Sequence, residues 1–143
     1  MRKKGHVIAL IASQLVTGAA HAAQPSPGHP LVGTWAYTWS EASCVERYRF
    51  DADGHFTLSS GSAVVEGSYQ VTAKPVVDDF YRLTETILTE NLQPDCSGAA
   101  VELGRASVSY LQFDPPHDML VRCQSPSLVS CIGPLVRVPE PGR

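Results

Sequence analysis

The chain is short of most features that announce a function. It has no surplus of basic residues: Lys and Arg together number 11 against 14 Asp and Glu, a net charge of −3. The positive stripe that phosphate-backbone binding requires is missing, which excludes a nucleic-acid partner. There is no C-x-x-C pair, and Cys123 and Cys131 are separated by seven residues, so no zinc signature is present. The sequence contains no G-x-S-x-G, H-E-x-x-H, P-loop or dinucleotide fingerprint, and the hydrolase, nucleotide and dehydrogenase classes that depend on them drop out. No long stretch shows a capped helical period, and no apolar run is long enough for a permanent membrane span. What is there is the balance of one turn-rich domain: 143 residues, 43% hydrophobic, 17% charged, 11 Gly and 11 Pro. That size leaves no room for a cofactor domain beside a substrate domain.

The first 22 residues are predicted to be a secretory signal peptide. Met1-Arg2-Lys3-Lys4 is a short basic start, Val7 to Val16 is an apolar run, and Ala20-His21-Ala22 is an A-x-A cleavage site. No Cys follows the apolar run directly, so a lipoprotein anchor is not indicated. Removing this segment leaves 8 basic and 14 acidic residues, a net charge of −6. The expected address is the bacterial periplasm or the extracellular space, with no stable membrane insertion.

Residues 23–30 are Pro-rich and aperiodic and are expected to form an extended leader; residues 139–143 are expected to be a loose, disordered tail. Between them, residues 31–138 alternate in the period of two that marks half-buried strands. Gly33 to Trp39, Val45 to Phe50, the segment around Phe56 and Leu58, Ala63 to Ala73, Phe80 to Asn91, Val101 to Phe113, Met119 to Cys123 and Cys131 to Val138 read as eight strands, separated by turn residues such as Asp51-Ala52-Asp53-Gly54. The predicted fold is all-β: an eight-stranded antiparallel up-and-down meander, closed or nearly closed into a small barrel with no exposed edge.

In such a meander the loops after odd-numbered strands share one end. Cys44, Cys96, Cys123 and Cys131 all fall in that group, and an even number in an exported chain reads as two disulfides around one mouth. Closure places the end of the first strand beside the start of the eighth, which favours Cys44 with Cys131 and Cys96 with Cys123; Cys44–Cys96 with Cys123–Cys131 is the alternative.

Gly33-x-Trp35 at the start of the first strand, in a secreted aromatic meander, resembles the calycin superfamily of lipocalins and their relatives. The resemblance implies that Trp35 packs at a closed base with an Arg late in the last strand lying across it, and Arg137 holds that place. It implies a binding fold with Gly33, Trp35 and Arg137 structural. The Thr-Asp-Tyr-like turn of lipocalins is replaced here by Asp114-Pro-Pro-His-Asp118, and both Trp lie on the first strand, so biotin binding of the avidin-like relatives does not carry over.

The inward phase set by Trp35 includes Tyr37 and Trp39, and on later strands Tyr48, Tyr81, Leu83 and Ile87. With so many bulky groups in a short chain, a mostly filled interior is expected. Glu46 and Glu85 share this inward phase. A buried carboxylate is costly unless paired, so either the strands twist to let both reach water, or the two mark a polar ligand contact or acid/base pair. The candidate ligand-binding set is Tyr37, Trp39, Glu46, Tyr48, Tyr81 and Glu85. Asp51, Asp53, His55, Asp78, Asp79, Asp114, His117 and Asp118 fall at the opposite end, where solvated turn chemistry explains them without a metal. Ser59, Ser60 and Ser62 read as polar loop residues around Gly61. No catalytic residue, metal or cofactor is expected. The sequence points to a monomeric, exported, non-catalytic binding protein for a small apolar or amphipathic molecule; the alternative is a protein-binding inhibitor or immunity-type barrel acting on an exported enzyme.

Overall fold

A computed structural model describes residues 24–41, 43–99 and 101–141. The predicted signal peptide and its cleavage site lie outside the described residues. Eight strands follow one another: β1 (Gly33–Trp39), β2 (Cys44–Phe50), β3 (His55–Ser60), β4 (Ala63–Val71), β5 (Tyr81–Glu90), β6 (Ala106–Phe113), β7 (Met119–Cys123) and β8 (Cys131–Val138). Each pairs antiparallel with the next, and β8 returns to β1 through Thr34↔Val138, Trp35↔Arg137 and Ala36↔Val136, which closes the barrel. No helix forms among the described residues.

The alternation of the sequence becomes the inside and outside of the wall. On β4, Ala63, Val65, Tyr69 and Val71 are buried while Val64, Glu66 and Gln70 face out. Gly67 keeps the inward phase because nothing larger fits: a Cβ there would stand 2.3 Å from the Thr86 carbonyl oxygen and 2.5 Å from the Phe56 ring. The ladder to β5 shifts register at this point, a bulge that bends the wall. The core runs from Trp35 and Leu31 at the base through Phe50, Leu83 and Leu111.

The β2–β3, β4–β5 and β6–β7 connections lie at this base, with the start of β1 and the end of β8. The other four connections form the mouth. The described part of the expected leader, residues 24–30, packs onto the base with Leu31 and Val32 that follow it. His29 and Leu31 are buried, and the Gln24 amide donates to the Asp53 carbonyl. The apolar and aromatic surface beneath them offers more than solvent does to a Pro-rich chain. At the other terminus, residues 142 and 143 lie outside the described residues.

Two expectations are corrected at the mouth. Residues 101–105 are not strand: β6 begins at Ala106, and the segment before it is an irregular loop. Gly98 and Gly104 take positive φ (+73° and +74°), and the Asp95 carboxylate accepts from the amides of Ser97 and Ala99, so the backbone turns locally rather than joining a ladder. The disulfides are Cys44–Cys96 and Cys123–Cys131, not the pairing that strand adjacency favoured. The β5–β6 loop is long enough to fold back over the β3–β4 turn, where Ser62 donates to Pro94 O and Cys96 N donates to Ser60 Oγ, and this brings Cys96 to Cys44. Cys123 and Cys131 face each other directly across the β7–β8 ladder, with Cα atoms 4.0 Å apart.

Candidate functional site

The inward positions nearest the mouth carry polar groups. β1, β2 and β3 place Tyr37, Glu46 and Ser60 side by side, since Tyr37 pairs with Glu46 and Glu46 with Ser60. Glu46 is buried and its two carboxylate oxygens are satisfied separately: Oε2 accepts from the Tyr48 hydroxyl at 2.6 Å and Oε1 from the Ser60 hydroxyl at 2.7 Å. Ser60, expected as a polar turn residue, is thus buried and bridges the Glu46 carboxylate to the Cys96 amide. On the facing wall Glu85 of β5 is also buried and is held by the Arg122 guanidinium of β7, with both carboxylate oxygens engaged. The same guanidinium lies 5.9 Å from the centre of the Tyr48 ring, so it spans the bore between the two carboxylates.

The account in which twist carries Glu46 and Glu85 into water is therefore corrected: both stay inside because each has a full set of partners. Burial pushes the Tyr48 hydroxyl well above its ordinary pKa, opposed by Arg122 and reinforced by Glu46, so it remains a proton donor at every physiological pH. For Arg122, burial acts most strongly and lowers the pKa, but the charge and hydrogen bonds of Glu85 together with nearby Tyr48 and Glu46 outweigh it, leaving the guanidinium more firmly charged. This is a hydrogen-bonded network in which one guanidinium serves Glu85 and two hydroxyls serve Glu46. None of its members is an unpaired acid or nucleophile.

No family model, curated protein or solved structure matches this chain.

Of the six candidate residues, Tyr37, Trp39, Glu46, Tyr48 and Glu85 line the mouth half of the bore. Tyr81 does not join them. It sits at the base end of β5, edge-on to His29 at 5.1 Å and to Phe113 at 5.5 Å. Arg122 and Ser60 are the site residues that sequence reasoning missed, although Arg122 carries the inward phase of Leu120. Two polar atoms beside the network are buried without a partner, Trp39 Nε1 and Ser109 Oγ. At the base, Arg137 lies flat over Trp35, 4.2 Å from the ring centre, and donates to the carbonyls of Pro30, Val32 and His117. The base acids do turn work: Asp53 caps the His55 amide and Asp114 the Met119 amide. Among the described residues, no three metal-ligating side chains come together.

Outside the bore, the mouth loops hold apolar side chains in solvent. Leu92 and Leu103 of the β5–β6 loop are 82% and 53% exposed, and Leu128 and Val129 of the β7–β8 loop are 68% and 69% exposed. The charged residues among them are mainly acidic: Glu41, Asp95 and Glu102, with Arg105 paired to Glu102. A shallow groove of about 610 Å³ runs beneath the β5–β6 loop, lined by Ile87, Val101 and Ser107 among others. The two disulfides match an oxidising, extracellular or periplasmic setting. No helix of the described residues is long and apolar enough to cross a membrane.

Proposed function

We propose that this chain is an exported, lipocalin-like, non-catalytic barrel that binds a protein partner through its mouth rim, in the manner of an inhibitor or immunity-type factor. The observation that carries this is the division of polarity at the mouth. The bore, where a barrel would hold a small ligand, is occupied by the mutually satisfied Glu46, Tyr48, Ser60, Glu85 and Arg122. Apolar groups left without cover stand on the rim, two on each of two loops tied down by disulfides. Rigid loops lose little freedom on docking, and exposed Leu and Val in an acidic setting suit a cationic protein with an apolar cleft. Export is supported by the predicted signal peptide and the disulfides, and the lipocalin resemblance by the stack of Arg137 on Trp35 in a closed eight-stranded meander.

A small-ligand reading has its own support in the groove beside Ile87 and Ser107 and in the unpartnered Ser109 hydroxyl. Native mass spectrometry of the protein recovered from its own exporting compartment separates the two. The rim reading expects a basic polypeptide held one to one and lost in Leu92→Asp/Leu128→Asp. A retained small molecule, unaffected by those changes, would overturn it in favour of the groove.

A further inference from the structure

Among the described residues, a few that are not glycine take positive φ. Ser43, Asp78, Asp79, His117 and Ser130 are polar; Leu92 alone is apolar, at φ +57°. The left-handed region crowds a Cβ against the following carbonyl oxygen, and an apolar side chain gains no local hydrogen bond in return. Packing does not offset that cost. Leu92 is 82% exposed, more than any other large hydrophobic side chain among the described residues. The backbone on either side of it is nonetheless fixed. Asn91 N donates to the Val64 carbonyl, Asn91 Oδ1 accepts from the Val64 and Gln93 amides, and Asn91 Nδ2 donates to the Ser62 carbonyl. Past Leu92, the Pro94 carbonyl accepts from Ser62 N, Cys96 N donates to Ser60 Oγ, and Cys96 is bonded to Cys44. The β3–β4 turn thus grips the loop before and after Leu92 and leaves the side chains of Leu92 and Gln93 in solvent.

We infer that Leu92 is the anchor of the rim contact, a single leucine side chain presented ready-made to a closed apolar pocket on the partner. The inference rests on the rim reading above and narrows it to one residue. An uncovered leucine in a disfavoured backbone conformation contributes nothing to folding, and strain of this kind persists where recognition uses it. Leu103, Leu128 and Val129 are also exposed, at 53%, 68% and 69%, but none of them takes positive φ. Their place is around the anchor, where they keep water from it. Because the backbone is set beforehand, docking immobilises one side chain rather than a whole loop. The edge of the partner's pocket is basic. From residue 83 to residue 104 the chain has no Lys or Arg, and Glu90 and Asp95 flank Leu92 at two and three positions.

The probe is the basic polypeptide recovered with the exported protein, titrated calorimetrically into purified variants of the exported chain, with thermal melts alongside. Leu92→Asn removes the apolar group and suits the left-handed backbone. Its melting temperature should equal or exceed that of wild type, while its affinity falls by about a hundredfold or more. Leu92→Met, of similar volume, should keep affinity within about tenfold of wild type. Leu103→Asn, Leu128→Asn and Val129→Asn should each cost less than about tenfold. A polypeptide held equally well by Leu92→Asn, or lost as readily in Leu128→Asn, would overturn the anchor and leave the rim reading standing. A Leu92→Asn variant that melts well below wild type would also overturn it, by giving the leucine a structural reason. Exported protein that holds no polypeptide, or that binds neutral phosphatidylcholine vesicles through Leu92 instead, would overturn the anchor and the rim reading together.

Discussion

Arg122 and Glu85 place opposite charges inside a bore where neither alone is tolerable. Glu85 is 5% exposed at its side chain and Arg122 20%, so the pair is screened less than a surface ion pair yet retains some contact with water. Removing one partner leaves a charge without compensation. Arg122→Met is expected to destabilise the fold by about 2–4 kcal/mol, below the full penalty for a dry site because the guanidinium is partly wet. Adding Glu85→Leu should recover most of that loss, since two apolar groups of similar volume need no partners. Urea denaturation of wild type, the single and the double variant checks this; single and double variants of equal stability would mean the pair is not coupled. Period-two alternation made the inward carboxylates legible in the sequence. It did not reveal their partners, because phase says which way a side chain points and not how far a long one reaches across a barrel.

His29 shows a second residue whose role depends on distant chain. Its Nδ1 accepts the Leu31 amide, so the proton sits on Nε2, which donates to the Thr72 carbonyl. Burial lowers its pKa below 6.5, aided by nearby His117 and opposed by the bond to Thr72. The unfolded chain therefore binds this proton more readily than the folded one. Stability is full well above pH 6.5 and falls as pH drops below it, until the folded-state pKa is passed. Thermal melts between about pH 7.5 and 5 should show this decline in wild type and a shallower one in His29→Gln. Nothing in the Pro-rich sequence around His29 signalled burial, since it has no periodicity to read.

At the level of elements, the strands and their order were legible because each carries its own alternation and ends at Gly, Pro or Asp. The β5–β6 loop was not, because its path is set by contacts far along the chain. Asn91 holds the Val64 amide and the Ser62 carbonyl, and Ser60 holds the Cys96 amide. That path decides the disulfide pairing, and the pairing decides how much each bridge contributes. Cys44–Cys96 closes a separation of 52 residues and Cys123–Cys131 one of 8. The chain-entropy relation then gives about 4 kcal/mol for the long bridge and about 2.5 kcal/mol for the short one. Replacing both cysteines of each bridge with serine, one bridge at a time, should lower stability in that order by equilibrium denaturation. A larger loss from the short bridge would mean that the β7–β8 loop is held more by native contacts than by loop closure.

At the scale of the whole molecule, a barrel is only as closed as its seam. β1 pairs with β2 along its full length from Gly33 to Trp39, but with β8 only from Thr34 to Ala36, all at the base. Toward the mouth, Tyr37 to Trp39 have no β8 ladder partner. The seam is held instead by the Arg137 clasp, whose guanidinium covers Trp35 and ties β8 to the Pro30 and Val32 carbonyls before β1 and to His117 in the β6–β7 turn. Charge-assisted bonds to carbonyls and a cation–π contact together make this a contribution of about 2–3 kcal/mol. Arg137→Gln removes the stack and leaves the carbonyls without donors. The barrel should then open along β1–β8 before anywhere else, because β3, β4 and β5 are laddered on both sides. Hydrogen-exchange mass spectrometry of Arg137→Gln should show faster exchange in peptides covering 33–39 and 131–138, with little change in those covering 55–71. A uniform rise across all eight strands would show that the clasp stabilises the fold as one unit and that the seam is no weaker than the rest of the wall.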